Sequence, residues 1–127
     1  MTATSYKRLT VALSVLSITL LVVCGYQFWS YGLLKIRVAW ADDQIKIFDE
    51  MRTQALQSDA HGAVGYLQYI VNYYPSGTKQ EAGSPLDRMV ERERNQTTQD
   101  IVTHLRAKTG ENLGESPQSW IQKYANR

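Results

Sequence analysis

One stretch near the N-terminus constrains this chain more than any other feature. Leu9 to Leu34 is a run of 26 residues without a charged side chain. As an α-helix this run rises about 39 Å at 1.5 Å per residue, which exceeds the ~30 Å hydrocarbon core of a bilayer. Its Ser and Thr residues are compatible with lipid because their hydroxyls bond back to helix carbonyls. The run therefore predicts one transmembrane helix, residues 9–34.

The two ends of this run carry residues that collect at bilayer surfaces. Lys7 and Arg8 precede it within a short N-terminal tail, residues 1–8. Trp and Tyr are enriched at the headgroup level because one end of each ring system is apolar and the other is polar. Four aromatic residues near the other end are therefore predicted to mark a membrane interface: Tyr26, Phe28, Trp29 and Tyr31.

Three interpretations of the apolar run compete, and we favour an uncleaved signal anchor. A cleaved secretory signal is the second, but the run is too long and lacks a small-x-small cleavage site. A lipoprotein signal ending at Cys24 is the third. Val23 is not the small residue such signals prefer before the cysteine, and the chain stays apolar beyond it. Cys24 is then an apolar-like residue inside the membrane helix, and its lipid modification stays open.

The sequence favours one orientation of this anchor by a small margin. Lys7 and Arg8 lie on one side of the run, and Lys35 and Arg37 lie almost as close on the other. The excess of basic residues that marks the cytoplasmic side is therefore nearly balanced. A short tail before the helix is typical of a signal anchor with a cytoplasmic N-terminus. We expect a single-pass protein of the cell membrane whose C-terminal domain is extracytoplasmic.

The remaining segment, residues 35–127, predicts a small all-α domain built as a bundle of helical hairpins. No part of it alternates as a β-strand does. Apolar residues recur at helical spacing in three stretches: 36–57, 60–74 and 85–108. Ser58 or Asp59 caps the second of these helices, and Ser84-Pro85 begins the third. Gly110 ends the third helix, and a short final helix follows Ser116-Pro117.

The helical spacing also predicts which side chains form the core. The three predicted apolar stripes are Ile45, Phe48, Met51, Ala55 and Leu56; Leu67, Ile70, Val71 and Tyr74; and Leu86, Met89, Val90, Thr97, Ile101 and Leu105. Tyr66, Tyr69 and Tyr73 form a neighbouring stripe on the second helix. Such a stripe binds glycan or peptide when exposed, but a helix usually buries its apolar and aromatic face.

Charge and motif content argue against several classes of function. Residues 35–127 contain 12 basic and 12 acidic side chains, so no concentrated basic face is available for nucleic acid. One Cys excludes a multi-cysteine zinc or iron–sulfur site. His61 and His104 fall on different predicted helices without metal-ligand spacing. We predict no catalytic residue, no cofactor and no metal site.

Two polar segments are candidates for ligand or partner contact. Lys79, Ser84 and Arg88 surround the start of the third helix, where free backbone N–H groups are able to hold an anion. The competing interpretation is a solvated turn that satisfies its own backbone. Glu91-Arg92-Glu93-Arg94 is either a docking face or, more commonly, a solvated helix surface with weak ion pairs.

Two groups of residues carry a resemblance to a known kind of protein. The first is Tyr73-Tyr74-Pro75-Ser76-Gly77-Thr78-Lys79-Gln80 with Gly83-Ser84-Pro85-Leu86-Asp87-Arg88, and the second is Leu105-Arg106-Ala107-Lys108-Thr109-Gly110 with Leu113-Gly114, Pro117 and Trp120. Over residues 73–124 the chain resembles uncharacterised single-pass bacterial membrane proteins with a small HEAT-like helical domain. The resemblance implies a helical scaffold and no catalytic residue.

The sequence therefore predicts a membrane-anchored helical interaction or structural module of the bacterial cell envelope, not an enzyme. Its expected partners are membrane lipid and another protein or a second copy of itself, and nucleic acid is not among them. The alternative is a membrane-tethered binding or sensor domain for a small anion or glycan.

Overall fold

The computed structural model describes residues 3–124, with the side chains of residues 5–124, and these residues form four α-helices and no strand. The helices are α1 (Ala3–Gln57), α2 (Ala60–Asn72), α3 (Pro85–Thr109) and α4 (Pro117–Tyr124). The all-α fold class, with a long apolar N-terminal helix followed by a helical bundle, is confirmed. Residues 3–8 of the predicted tail are helical, while residues 1–2 and 125–127 lie outside the described part.

Helix α1 contains the predicted apolar run without interruption. Every side chain from Ser5 to Trp40 is exposed, and α1 is long and apolar enough to cross a membrane. The hydroxyl of Thr19 donates to the carbonyl of Val15 at 2.9 Å, so this polar group is satisfied within the helix. The chain divides into two compact units, one up to Ile36 and one from Arg37 onward, and α1 contributes residues to both.

The unit from Arg37 onward is organised around one apolar core to which all four helices contribute. Its largest fully buried apolar side chains are Trp120, Phe48, Leu67, Ile70, Ile101, Leu105, Val64 and Val102. Trp120 belongs to the short helix α4, and its indole N–H donates to the carbonyl of Gly114 at 3.1 Å. A buried indole needs such a partner, so the 110–116 turn and the core stabilise each other.

Local sequence signals determine where α2 and α3 begin and end. The Asp59 carboxylate accepts a hydrogen bond from the Gly62 N–H at 2.8 Å, so Asp59 is the cap. Ser58 instead donates to the carbonyl of Gln54 at 2.8 Å at the end of α1. Ser84 caps α3, and Gly110 ends it in the left-handed conformation with φ of 72°.

Three side chains predicted in the core are exposed, and for these positions the prediction was wrong. Leu56, Tyr74 and Met89 are 42%, 41% and 54% exposed. Helix α2 ends at Asn72, so Tyr74 leaves the helical register that would have placed it on the core stripe. Leu56 and Met89 each lie one residue from a buried position, about 100° around a helix of 3.6 residues per turn.

Two glycines form a matched pair that tests these assignments. Gly110→Ala is expected to lower the free energy of unfolding by about 1 kcal/mol, because alanine adopts the left-handed region poorly. Gly65→Ala is expected to raise it by about 0.5–1 kcal/mol, because no atom approaches within 4 Å of the place a Cβ would take inside α2. Urea unfolding of the full-length protein in detergent, followed by circular dichroism, measures both. Changes of the same sign would contradict the assignment of one glycine.

Candidate functional site

The segment between α2 and α3 folds around one buried carboxylate. Asp87 lies in the first turn of α3 and is 5% exposed. Its Oδ2 accepts hydrogen bonds from the Ser76 hydroxyl at 2.6 Å and the Gly83 N–H at 2.9 Å, and its Oδ1 accepts from the Gly77 N–H at 3.2 Å. The bond from Ser76, followed by that from Gly83, lowers the pKa of Asp87 below its ordinary value. The carboxylate thus holds both halves of the loop.

The three residues predicted to hold an anion all make contacts within the chain. Ser84 Oγ accepts from the Asp87 N–H at 3.2 Å, and the Arg88 guanidinium donates to the carbonyl of Gly83. Lys79 is directed to aromatic rings instead. At the start of α3 the Asp87 N–H donates to Ser84 Oγ and the Arg88 N–H to the Ser84 carbonyl at 3.0 Å. The amides of Gly77 and Gly83 in the preceding loop donate to the Asp87 carboxylate, so this part of the loop binds a carboxylate of its own chain. The anion site at the helix start stays a prediction.

A buried arginine closes the C-terminal end of α2. Arg94 of α3 is 7% exposed, and its guanidinium donates to the carbonyls of Ile70 at 2.9 Å and Tyr74 at 2.5 Å. Its guanidinium carbon lies 5.2 Å from the centre of the Phe48 ring, within the range of a cation–π interaction. The last carbonyls of a helix lack partners in their own helix, and Arg94 supplies donors to them. The interpretation of this position as solvated surface was therefore wrong.

Tyr74 has an unusual backbone conformation that Arg94 stabilises. Its φ is 34°, and it is the only residue other than glycine with a positive φ among the described residues. Pro75 follows it, and a residue before proline normally adopts an extended conformation. A strained position of this kind costs about 1–3 kcal/mol and persists only where its surroundings fix it. The conformation turns the Tyr74 ring away from the α2 stripe and towards solvent.

The rotated Tyr74 completes a contiguous surface that we call the aromatic row: Tyr69, Tyr73, Tyr74, Lys79 and Trp40. The ring centres of Tyr69 and Tyr73 are 5.3 Å apart, and those of Tyr73 and Tyr74 are 4.7 Å apart. Lys79 Nζ lies 4.1 Å from the Tyr74 ring centre and 5.9 Å from that of Trp40. Tyr69, Tyr74 and Trp40 are all exposed, whereas Tyr73 is half-buried and packs on Phe48.

The predicted tyrosine stripe is therefore divided between two environments. Tyr66 is half-buried and packs against the core, while Tyr69 and Tyr73 belong to the aromatic row. Burial, followed by the neighbouring Tyr69 and Tyr74, raises the pKa of Tyr73 above its ordinary value. Neither Trp40 nor Lys79 was associated with the stripe in the sequence, because they are distant from it along the chain.

The loop that carries Lys79 is fastened to the first residue of this unit. The Gln80 side chain, 4% exposed, donates from Nε2 to the carbonyl of Arg37 at 2.9 Å. The Arg37 guanidinium and the Glu81 carboxylate form an ion pair at 3.5 Å. The aromatic row therefore lies at the end of the unit where its chain begins, and not at the end formed by the α1–α2 turn.

The outer face of α3 carries a shallow, open surface of polar side chains, which we call the groove. It is lined by Arg88, Glu91, Arg92, Asn95, Gln96 and Gln99. Exposed Met89 precedes Arg92 by three residues, so the two side chains are neighbours on the helix surface. Within the described part of the chain, the side chains of Arg92, Asn95 and Gln99 make no hydrogen bond or ion pair. These side chains are available to a partner without breaking an internal contact.

Comparison with protein-family models, curated proteins and solved structures found no match. The function must therefore be inferred from the chain's own geometry, and the resemblance over residues 73–124 stays a prediction. The predicted interface residues Tyr26, Phe28, Trp29 and Tyr31 are exposed on α1, and Lys35 Nζ lies 4.8 Å from the Tyr31 ring centre. Their membrane role also stays a prediction.

The histidines do not form a site with other potential metal ligands. His61 is exposed on α2, and His104 is half-buried on α3. No three His, Cys, Asp or Glu side chains among residues 5–124 are placed so that they could hold a metal ion. The sequence indicated neither the loop contacts of Asp87, an acidic residue in the first turn of a predicted helix, nor the burial of Arg94, a member of a charged run. A usable signal existed, because positions 87, 90, 94, 97 and 101 repeat at the helical spacing of 3, 4, 3 and 4 residues.

Proposed function

We propose that this chain is a membrane-anchored helical interaction module of the bacterial cell envelope that crosses the membrane once with residues 9–34 and has no catalytic role. The observation that carries the proposal is that one chain contains both a long apolar helix and an exposed groove on α3. The groove offers Arg88 and Arg92, and exposed Met89 lies beside it; Arg and Met are enriched at protein interfaces. Its partner is a protein with an acidic or mixed polar surface, or a second copy of this chain.

The buried and half-buried charges of the unit have partners within the same chain, and in this they differ from the exposed Arg92 of the groove. Asp87 and Arg94 are engaged by backbone groups of the same chain, and Arg52 joins α1 to α3 through Asp100 at 3.4 Å. These charges stabilise the scaffold. In the groove, Arg92 is exposed and has no acidic partner among the described residues, whereas Glu91 is half-buried and pairs with Arg94 at 3.2 Å. The alternative, a small-anion or glycan sensor, is less favoured because the Asp87 carboxylate already accepts the loop amides of Gly77 and Gly83.

The test uses the full-length protein with a C-terminal reporter that is active only outside the cytoplasm. We expect reporter activity, because Lys7 and Arg8 directly precede the uncharged run and favour a cytoplasmic N-terminus. We also expect a partner, or a second copy, to be captured by cross-linking in membranes before extraction into mild detergent. Met89→Asp and Arg92→Glu should each reduce that capture about tenfold or more, as a central interface residue does.

The control for these two variants is Thr103→Glu, which adds a charge to an exposed position of α3 outside the groove. Capture that survives Met89→Asp and Arg92→Glu, or falls equally with Thr103→Glu, would contradict the proposed surface. A monomeric protein with no reproducible cross-linked partner would contradict the interaction role itself. An inactive reporter on a stably expressed protein would reverse the orientation.

A further inference from the structure

We infer that the aromatic row, together with Arg37, docks into the phospholipid headgroup layer of the bilayer that α1 crosses. This inference rests on the proposed membrane anchor and assigns a second contact with the same membrane. The occupant is the headgroup layer itself, with the lipid phosphates as the groups that Lys79 approaches.

Trp40 lies a short distance along the chain from the end of the uncharged run. Trp40 follows Leu34, the last residue of the uncharged run, by six residues. Six helical residues rise about 9 Å, and α1 is helical through this stretch. The headgroup region on each side of a bilayer is about 5–8 Å thick, and tilting a span longer than the hydrocarbon core brings later residues nearer. Trp40 is therefore within reach of this layer.

The stretch that connects the uncharged run to the unit has the composition of a membrane interface. Residues 35–41 contain two basic residues, Lys35 and Arg37, and otherwise only apolar ones. No acidic residue occurs anywhere before Asp42, and Asp43 follows it directly. Basic residues next to Trp are typical of a headgroup layer, because the cations meet phosphate and the indole spans the apolar and polar regions. Asp42 and Asp43 mark the point where the chain enters water.

A loop contact places Lys79 and Tyr74 beside Arg37, at the end of the unit where its chain begins. The bond from Gln80 to the Arg37 carbonyl fixes the loop beside the start of the unit, and Lys79 bridges the rings of Tyr74 and Trp40. The exposed carboxylate of Glu81 pairs with Arg37 at 3.5 Å, so the group keeps one unpaired positive charge on Lys79. The face thus combines exposed rings with a cation, as membrane interfaces require.

The exposed Tyr74 ring is maintained at the cost of backbone strain. Tyr74 adopts a left-handed backbone conformation before a proline, and the buried Arg94 is committed to its carbonyl. A strained residue held by a buried charge indicates that the position of the exposed ring serves a contact outside the unit.

The experiment places a fluorophore at three single cysteines of the full-length protein in vesicles of equal parts phosphatidylethanolamine and phosphatidylglycerol. Native Cys24 reports insertion through quenching by acyl-chain nitroxide lipids. Thr78→Cys, in a Cys24→Ser background, reports the exposed loop beside Lys79 through quenching by headgroup nitroxide lipids. His61→Cys, in the same background, reports the exposed start of α2 at the other end of the unit.

We expect strong acyl-chain quenching at Cys24 and headgroup quenching several-fold stronger at residue 78 than at residue 61. Lys79→Glu and Trp40→Ala should reduce the quenching at 78 to the level at 61, with Cys24 unchanged. Lys108→Glu, an equal charge reversal on the exposed end of α3, should leave all three signals as they are.

The outcomes separate the two proposals. Quenching at Cys24 together with equal quenching at 78 and 61 would overturn headgroup docking and leave the anchor in place. No quenching at Cys24 would overturn the anchor and with it the proposed function. If Lys79→Glu instead removes a cross-linked protein while residue 78 is not quenched, the aromatic row binds a protein and the lipid assignment is wrong.

Discussion

Replacing Arg94 by Met is expected to lower the free energy of unfolding by about 3 kcal/mol, because the carbonyls of Ile70 in α2 and of Tyr74 just beyond it lose charge-assisted donors. Met retains most of the apolar stem, so the loss reports the guanidinium and not the packing volume. The measurement is urea unfolding of the full-length protein in detergent, in which circular dichroism follows the helices. The substitution should also weaken headgroup quenching at residue 78, since Tyr74 loses the contact that fixes its backbone.

The control is Arg92→Met, two residues away on the same helix and exposed. A change within about 0.5 kcal/mol is expected there, as for surface positions without specific contacts. Equal effects at the two positions would mean that the buried network at Arg94 contributes no more stability than the solvated face. Arg94→Lys should recover only part of the loss, because an ammonium cannot span both carbonyls as the guanidinium does.

Replacing Asp87 by Asn is expected to lower the free energy of unfolding by about 2 kcal/mol at neutral pH, because the loop loses charge-assisted hydrogen bonds from Ser76 and two glycine amides. The amide keeps one acceptor oxygen but directs an N–H₂ group at a donor. Asp43→Asn, at an exposed carboxylate on α1, is the control and should change stability by less than about 0.5 kcal/mol.

The pH dependence of this difference has a defined sign. The pKa of Asp87 is lowered in the folded state, so its contribution is fully present above the unfolded-state pKa of about 3.9 and is lost as pH falls through the folded value. The stability gap between the wild type and Asp87→Asn should therefore shrink in acid, since a protonated carboxyl resembles the amide. A gap that stays constant from neutral pH to well below pH 3.9 would contradict the role assigned to the charge.

Features that depend on neighbouring residues were predictable from the sequence. The uncharged run requires only composition, and the α3 boundaries require only the Ser84-Pro85 start and the Gly110 end. Helix capping and left-handed glycine conformations are decided within one turn of chain, so local patterns indicate them well. The break after Asn72 came two residues before the predicted end, because Pro75 has no N–H to continue the helix and its ring would clash with the carbonyl of Val71.

Features that depend on distant residues could not be predicted in the same way. Arg94 lies in a run of alternating charge, which is typical of a solvated surface. Its burial follows from its bonds to the carbonyls of Ile70 and Tyr74, which lie 24 and 20 residues before it in the chain. Asp87 looked like an acidic residue that favours a helix start, and its loop partners became clear only when Gly77 and Gly83 were placed. The aromatic row joins Trp40 to Tyr74 through Lys79, and no spacing rule relates these positions.

The ring of contacts around Asp87 also limits how the loop can change in length. Glycine-rich surface connections usually tolerate inserted residues. Here the donors at positions 76, 77 and 83 converge on one carboxylate, and Gln80 between them reaches back to Arg37. An inserted residue between 77 and 83 would move at least one donor out of reach. Descendants of this sequence should vary these side chains more freely than they vary the number of residues between them.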